Sequence, residues 1–409
     1  MEAWRLFRSL NRDQRNTFIA CFLGWSLDAF DYFLLTFVIP PLAHDFQRSI
    51  AEITYAITLT LAMRPVGAFL FGLFGDRFGR RIPLMIDVIF YSAMELLTAF
   101  SASYTWLLIF RALYGIGLGG EWGLGASLAM EALPVNARGL FSGILQQGYA
   151  FGYLLAAIVY WIVFPFLGWR GLFIVGALPA VLVLYIRAKV PESPSWRREK
   201  KNAPAFWRNL GTIGREHWLL FLYVIVLMTA FNAMSHGTQD LYQTFLGQQR
   251  RFGVSAKAAI GIIYSFGAIC GGTVIGHFSQ KYGRRRAIVG CALVGLLLIP
   301  LWVFSPGVLL LVLGGFLMQF MVQGAWGVVP VHLNELSPVG VRGTFPGFAY
   351  QLGNLLAANT ALIEARLAMH FGSAAHPNYA MGMALFAAAV FVALAVIAVL
   401  GPEKRGRSF

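Results

Sequence analysis

Charged residues are scarce in this chain of 409 residues, where Lys, Arg, Asp and Glu together make up only 12%. Soluble domains carry about twice that share, so the composition argues against a solvated globular protein. Apolar residues account for 58% of the sequence, and the mean hydropathy is +0.66. This balance is typical of a helical protein that crosses a membrane many times.

Motifs that carry chemistry are missing as well. The three cysteines, Cys21, Cys270 and Cys291, lie in apolar segments without disulfide or metal spacing. The sequence has no Gly-x-x-x-x-Gly-Lys-Ser/Thr run, which argues against ATP as an energy source. No Cys/His cluster indicates a metal, and no nucleophile constellation indicates an enzyme. We therefore expect neither catalysis nor a metal or cofactor.

Twelve apolar runs are long enough to cross a bilayer. We number them spans 1 to 12, with predicted limits at 17–42, 52–74, 83–103, 105–131, 139–167, 169–189, 217–246, 256–278, 287–304, 307–333, 343–368 and 379–400.

Basic residues are sorted between the two sides of these spans. Of the 32 Lys and Arg residues, 24 lie at the termini or in even-to-odd connections, six lie in the opposite loops and two lie within spans. By the positive-inside rule, we expect both termini to be cytoplasmic in a bacterial-type inner membrane. The net charge of +14 then records orientation in the lipid bilayer and gives no reason to expect nucleic-acid binding.

An offset of 204 residues aligns the two halves of the chain without a gap. It pairs Gly72 with Gly276, Gly79-Arg80-Arg81 with Gly283-Arg284-Arg285, Trp122 with Trp326, Glu131 with Glu335, Arg138 with Arg342 and Gln147 with Gln351. Because each half holds an even number of spans, the copies run parallel. The repeat predicts an all-α membrane fold of two six-helix bundles around a cavity, with a linker at 191–216 between residues 1–190 and 217–409.

The run at 72–81 reads Gly-Leu-Phe-Gly-Asp-Arg-Phe-Gly-Arg-Arg and is similar to the signature of the Major Facilitator Superfamily between spans 2 and 3. The second copy departs from it by placing Gln280 where the first has Asp76. This resemblance extends over essentially the whole chain. It implies the major facilitator fold of twelve transmembrane helices in two parallel-repeat bundles.

Charged residues around this signature are candidates for a gate. Asp76 can cap a helix or pair with basic groups when the inner side is closed. The pairs Glu131/Arg138 and Glu335/Arg342 can hold the inner gate shut in the same way. A solvated loop that only sets topology would explain the arginines but not the glycine spacing. The gating set is Asp76, Arg77, Arg80, Glu131, Arg138, Glu335 and Arg342.

Residues 115–120 match the dinucleotide-binding pattern Gly-x-Gly-x-x-Gly. They lie within an apolar span and follow no strand, so nucleotide binding is a false positive. We interpret this run as a close helix contact through small residues.

Ionisable residues within the spans are functional candidates, because a charge in lipid is costly unless it is paired or wet. Arg64 of span 2 is our first choice for the substrate, since a guanidinium fork suits a carboxylate. The alternative is a permanent ion pair that only fixes packing, such as Asp31 with Arg111. Arg64 maps onto Ala268 across the repeat, and this asymmetry favours a ligand role.

Span 7 carries a polar stripe at 232–244. On a helix, one side would collect Asn232, Ser235, His236, Gln239, Asp240, Gln243 and Thr244. Such a face cannot meet lipid and must line water or a ligand. Asp28 and Asp31 of span 1 are the repeat mates of Asn232 and Ser235, so we expect the two stripes to face each other across the cavity.

The pattern Asn232-x-x-Ser235-His236-x-Thr238-Gln239-Asp240-x-x-x-Thr244 resembles the seventh-span signature of lactate/pyruvate:proton symporters within the sialate:proton symporter family. The resemblance implies symport of a small monocarboxylate and a proton by alternating access.

Two sets of residues follow from these arguments. For the substrate they are Arg64, Asn232, His236, Gln239, Gln147, Gln351 and Asn354, and for proton coupling they are Asp28, Asp31, Glu121, Asp240 and Arg111. An anion that enters against a negative-inside potential needs a coupled cation, since each charge is worth about 2.3 kcal/mol per 100 mV. A carboxylate that is buried alternately can gain and release a proton. Sodium coupling stays open.

Two rival functions remain. A larger organic anion, sialate or an aromatic acid, would fit the same kind of cavity. A membrane sensor that binds a carboxylate without moving it is a more remote alternative, because no soluble signalling domain is visible. We expect a monomer whose partners are a small organic anion, protons and lipid.

Overall fold

All twelve predicted spans are helical in the computed structural model, which describes residues 2–202, 206–373 and 376–407. A backbone in lipid must satisfy its polar groups internally, and helices do so. Nine helices in the described ranges are by themselves long and apolar enough to cross a membrane. Spans 4, 6 and 11 complete the twelve-helix fold.

Spans 1 to 6 form the first bundle. Spans 1 to 4 are Arg12–Phe37, Ile50–Phe78, Arg81–Ala99 and Tyr104–Ala132. Span 5 comprises Arg138–Gln146 and the first part of Gly148–Val175, in which Gly168 breaks the helix at φ +60°. Span 6 follows that break and continues through Leu178–Val181 and Leu182–Lys189. Short helices at Glu2–Ser9, Ile39–Asp45 and Pro194–Asn202 lie outside the spans.

Spans 7 to 12 form the second bundle. Span 7 is Phe206–Gln239, followed by Tyr242–Thr244 and Phe245–Gln249, and spans 8 to 10 are Val254–Tyr282, Arg284–Ile299 with Pro300–Phe304, and Val308–Leu336. Span 11 is divided into Phe345–Leu356 and Thr360–His370, and span 12 is Tyr379–Leu400.

Span 7 differs from expectation at both ends. Its helix begins at Phe206, so part of the predicted linker at 191–216 is already helical. It ends at Gln239, where Asp240 N closes the last turn on His236 O at 3.0 Å and a separate short helix begins at Tyr242. The polar stripe at 232–244 therefore does not lie on one continuous helix.

Glycines allow the closest helix contacts. A Cβ on Gly115 would lie 2.2 Å from the Thr60 carbonyl oxygen, and one on Gly119 would lie 2.0 Å from that of Arg64. Both distances are far below van der Waals contact, so spans 2 and 4 approach as closely as they do only because side chains are missing. The interpretation of residues 115–120 as a packing run is confirmed.

The two halves also share a tight turn at the end of the molecule that carries the span 2–3 and span 8–9 connections, here called the basic end. Gly79 and its repeat mate Gly283 have φ of +100° and +104°, a region that favours glycine. Glu192 accepts the Arg80 N–H at 2.8 Å, and Glu403 accepts the Arg285 N–H at 2.9 Å. These carboxylates cap the first turns of spans 3 and 9.

Candidate functional site

Seven ionisable side chains are buried between the ends of the first bundle. They are Asp28 and Asp31 of span 1, Arg64 of span 2, Asp87 and Glu95 of span 3, and Arg111 and Glu121 of span 4. If all were ionised, three negative charges would have no positive counterpart, at a cost on the order of several kcal/mol each. The cluster is therefore suited to hold protons as well as charges.

Arg64 and Asp28 form a loose ion pair. Arg64 Nη2 lies 3.6 Å from Asp28 Oδ2, beyond the usual limit of about 3.2 Å for an N–H···O bond. Neither oxygen of Asp28 accepts a hydrogen bond from the residues that the structure describes. Arg64 is 5% exposed, and its charge acts on Tyr32 in its own bundle and on Tyr350 in the other. A guanidinium held in this way can exchange one carboxylate for another.

Arg111 is bound more firmly, and its partner is Glu95. Arg111 Nη2 donates to Glu95 Oε2 and, at 2.7 Å, to Thr98 Oγ1. Its guanidinium carbon also lies 4.3 Å from the centroid of the Tyr114 ring. The permanent ion pair considered for Asp31 with Arg111 is therefore formed by Glu95, which spans 3 and 4 bring within reach. We interpret this pair as structural.

The other three carboxylates of the cluster are buried without such contacts. In the described parts of the chain, both oxygens of Asp31, Asp87 and Glu121 lack a hydrogen-bond donor. Glu121 reaches span 1 where that helix has no side chain, since a Cβ on Gly24 would lie 2.3 Å from Glu121 Oε1. Because a buried, unpaired carboxylate is strongly disfavoured as an anion, these groups are suited to carry protons.

Aromatic rings from both bundles meet at the bundle interface. The Tyr350 ring lies 4.7 Å from Trp122 and 5.6 Å from Trp326, which are repeat mates, measured between centroids. Trp25 lies 6.4 Å from Trp122 and 5.5 Å from Tyr149. The rings pack into one apolar cluster, in which Tyr149 is 37% exposed and the other four rings are buried. Such a cluster suits the hydrocarbon part of an organic ion.

The polar stripe of span 7 contributes a second group. His236 Nδ1 lies 3.1 Å from Asp240 Oδ2, and their side chains are 41% and 39% exposed. His236 Nε2 lies 3.4 Å from Asn354 Oδ1 of span 11. Asp240 also interacts electrostatically with Tyr32, so this part of span 7 lies near span 1; the facing of the two stripes stays a prediction.

Other members of the predicted substrate set have protein partners. Asn232 Nδ2 donates to Met228 O at 2.8 Å, within its own helix. Gln239 Nε2 donates to Ser235 Oγ at 2.9 Å and to Gln319 Oε1 at 3.2 Å. Both side chains serve packing within the second bundle in this conformation.

Gln147 and Gln351 are repeat mates at the bundle interface. Gln147 lies against span 8, since its Nε2 is 1.8 Å from the position of a Cβ on Gly272. Among the described residues, Gln147 Nε2 and both amide atoms of Gln351 have no hydrogen-bond partner. Because a buried amide without a partner is costly, these two are good candidates for contact with a ligand or water.

The bundles are joined at the basic end by Asp76. Its Oδ1 accepts the Gly343 N–H at 2.6 Å, and its Oδ2 accepts the Thr344 N–H at 2.9 Å and the Thr344 hydroxyl at 2.6 Å. At the equivalent place in the repeat, Gln280 Oε1 accepts the Gly139 N–H at 3.1 Å. We call these two contacts the latch. The latch joins the two bundles at the basic end, while the side chains of His236 and Asp240 are partly exposed.

The acidic members of the gating set pair with the arginines of the signature. Glu131 forms an ion pair with Arg80 at 3.1 Å. Its repeat mate Glu335 forms the equivalent pair with Arg284, the repeat mate of Arg80, at 3.0 Å. Arg138 donates to Arg407 O at 2.7 Å. The Arg342 carbonyl accepts the Ser127 hydroxyl at 2.6 Å across the bundle interface, and Arg77 is exposed beside the Phe78 ring.

Comparison with known proteins agrees with this architecture. Residues 21–358 match the profile of the Major Facilitator Superfamily. The chain belongs to the Major Facilitator Superfamily. It is therefore a membrane transporter and not an enzyme.

Several relatives of this major facilitator transport organic acids according to their names. It is 29% identical to a carboxylic acid transporter protein homolog of Saccharomyces cerevisiae, over 97% of this chain and 69% of the relative. It is 30% identical to a probable 4-methylmuconolactone transporter of Cupriavidus pinatubonensis (99% and 94%) and 26% identical to the sialic acid transporter NanX of Escherichia coli (100% and 98%).

A solved structure of the proton:xylose symporter XylE shares the fold. It superimposes with a TM-score of 0.77 at 19% identity and covers 97% of both chains. At this identity the likeness concerns architecture alone.

Three buried carboxylates of this transporter were not predicted from the sequence. Asp87 and Glu95 belong to the central cluster, and Glu364 of span 11 is buried near Gly237 of span 7. Each lies inside a predicted span, so counting every ionisable residue of the apolar runs would have found all three.

Proposed function

We propose that this transporter is a symporter of a small monocarboxylate, of the lactate or pyruvate type, with a proton. The observation that carries the proposal is the loose Arg64–Asp28 ion pair amid surplus buried carboxylates. Arg64 offers a fork for the substrate carboxylate, and the aromatic cluster beside it suits a short hydrocarbon group.

The same pair provides a way to couple substrate to proton. A substrate carboxylate that takes Arg64 displaces Asp28. Asp28 is then buried without a cation or a hydrogen-bond donor, and a proton removes that cost. Release of the substrate restores the ion pair and expels the proton. One anion and one proton together carry no net charge, so transport would avoid the membrane potential penalty of about 2.3 kcal/mol per 100 mV.

Alternating access follows from the latch. The conformation described is closed at the basic end, where Asp76 and Gln280 join the bundles. We propose that residues 1–190 and 217–409 rock about the central site, with 191–216 as the connection and with the basic end and both termini in the cytoplasm. The distribution of Lys and Arg supports that orientation. In this arrangement the site faces outward and the protein is poised for uptake.

A larger anion is the second candidate. The relatedness to NanX, a sialic acid transporter, favours it. The relative named as a carboxylic acid transporter homolog favours the smaller substrate.

The test is uptake into proteoliposomes with an inward proton gradient. Purified protein should accumulate labelled lactate only with the gradient, and unlabelled pyruvate should compete at equal excess while sialate and benzoate do not. Competition by sialate or benzoate alone would replace the small monocarboxylate with the larger anion. Accumulation that requires sodium and ignores the proton gradient would contradict proton coupling.

A further inference from the structure

A cavity lies at the basic end, and none of its lining residues belongs to the central cluster. It encloses about 840 Å³ between the end of span 8, the start of span 9 and the segment after span 12. Ligand sites commonly have volumes of about 300 to about 1,000 Å³.

The mouth of this cavity is strongly basic. Its charged lining consists of Lys281, Arg285, Arg286, Arg405 and a single carboxylate, Glu403. Glu403 is already engaged, because its Oε2 accepts the Arg285 N–H at 2.9 Å. Lys281 and Arg286 are exposed, so two cations at least remain for an anion that enters.

The deeper part of the same cavity is apolar and faces the lipid side of the bundle. Val289, Gly290 and Leu293 of span 9 and Val399 of span 12 line it. Leu293 is 48% and Val399 52% exposed, and a Cβ on Gly290 would meet nothing within 4 Å. Because Arg286, Gly290 and Leu293 recur at helical spacing, the charged mouth leads directly into this apolar groove along one helix face.

The first bundle matches Lys281 and Arg285 with Arg77 and Arg81 but lacks two other residues of this cavity at the equivalent place. The repeat mates of Arg286 and Gly290 are Ile82 and Ile86, which are exposed and fill the corresponding face. The turn glycine and the capping carboxylate recur in both halves, so the shared framework does not require Arg286 or Gly290. Their presence in one half needs another reason.

We propose that this cavity binds one anionic phospholipid. The phosphate would lie among Lys281, Arg286 and Arg405, and an acyl chain would occupy the groove beside Gly290. Charge complementarity selects an anion, and the apolar groove selects a lipid over a free phosphate, which would leave that groove empty. The proposal is independent of the transported substrate.

Lipid retention by the purified full-length protein tests this site. Micelles would contain equal dioleoyl-phosphatidylglycerol and dioleoyl-phosphatidylcholine, and native mass spectrometry would count the lipids retained. Wild type should retain phosphatidylglycerol preferentially. Arg286→Ile should reduce that retention about fivefold, as expected for one basic residue near a membrane anion.

Two further variants separate a lipid from general charge attraction. Gly290→Ile introduces the residue of the repeat mate, fills the groove without changing charge, and should also reduce retention of phosphatidylglycerol. Arg187→Ala, which removes an exposed cation at the end of span 6, should change nothing. Gel filtration would verify folding. Wild-type retention in both Ile variants, equal loss in Arg187→Ala, or complete displacement by glycerol 3-phosphate would overturn the proposal.

Discussion

The two halves of this chain agree at the basic end and differ at the centre. At the basic end the repeat preserves contacts as well as residues: Arg80–Glu131 recurs as Arg284–Glu335, and the Asp76 contact with Gly343 recurs as the Gln280 contact with Gly139.

At the centre, none of the seven buried charges recurs. The mates of Asp28, Asp31, Arg64, Asp87, Glu95, Arg111 and Glu121 are Asn232, Ser235, Ala268, Cys291, Ile299, Gly315 and Ala325. A bundle of the same fold therefore forms without these charges. Since burying charges is costly and the fold does not require them, we attribute the Arg64–Asp28 pair and the unpaired carboxylates to transport, whereas the Arg111–Glu95 pair serves packing in the first bundle.

The largest effect should come from Arg64. Arg64→Ala removes the proposed substrate fork and should lower lactate affinity by at least about 30-fold, because truncating one partner of a buried charge pair commonly costs about 2 to 5 kcal/mol. Binding to purified protein by calorimetry would measure it. Arg64→Lys keeps the charge but loses the two-pronged guanidinium, so its lactate affinity should lie between those of wild type and Arg64→Ala. Wild-type affinity in Arg64→Ala would eliminate Arg64 as the substrate residue.

Asp28 should divide coupling from binding. Asp28→Asn cannot take a proton and no longer competes for Arg64, so lactate should bind at least as well as in wild type, while gradient-driven accumulation falls about tenfold or more. Gradient-driven uptake reports proton coupling, and counterflow of lactate in the same proteoliposomes reports binding and exchange without a gradient.

Asp240→Asn is the matched change in the second bundle. Because Asp240 is partly exposed and paired with His236, we expect it to retain most of the accumulation. Full accumulation in the Asp28, Asp31 and Asp240 variants together would exclude all three as proton carriers.

The latch should respond unequally in the two halves. Asp76→Ala removes three hydrogen bonds between bundles, whereas Gln280→Ala removes one, to Gly139. Asp76→Ala should open the basic end more often, with a shift of about 1 to 3 kcal/mol. Labelling of a cysteine introduced at Ser127, which is buried at the same interface, in a background without native cysteines, would report the opening. Equal labelling in both variants would contradict the assigned difference.

A smaller, pH-dependent difference is expected at the other end of the molecule. Trp169 Nε1 donates to Asp45 Oδ2 at 2.7 Å, and this bond lowers the pKa of Asp45 below its usual value of 3.8. The repeat mate of Asp45 is neutral Gln249, which accepts the Ala380 N–H at 2.9 Å. The contribution of Asp45 to folding stability is present above pH 3.8 and is lost as pH falls through the lowered pKa of this carboxyl.

Thermal unfolding in detergent between pH 3 and 6 would measure this. Asp45→Asn should remove a small acid-sensitive part of stability, below about 1 kcal/mol for so exposed a group. Gln249→Ala should shift stability equally at every pH. An unchanged pH profile in Asp45→Asn would contradict the assignment.

The fold was predictable because the membrane leaves few options. Apolar runs, basic loops and a gap-free repeat were sufficient to predict twelve helices. The close contact of Gly115 and Gly119 with span 2 followed from the spacing of small residues. Helix ends were less predictable: span 7 stops at Gln239 although the polar pattern continues to Thr244. A pattern of polar residues indicates which side of a helix avoids lipid, but it does not indicate the residue at which the helix ends.

The site was predictable only in part. Asymmetry across the repeat pointed to Arg64 and Asp28, and the structure brings them together. Glu95 forms the ion pair with Arg111 that was considered as an alternative for Asp31. Both residues are acidic, and only helix packing decides which one reaches the guanidinium. The roles of Gln147 and Gln351 stay predictions.

The most direct test of the central claim is proton uptake triggered by substrate. Proteoliposomes with a trapped pH-sensitive dye and no initial gradient would receive lactate. Wild type should acidify the lumen, and Arg64→Ala and Asp28→Asn should not. Acidification that persists in Asp28→Asn, or lactate entry by wild type without any proton movement, would contradict the account.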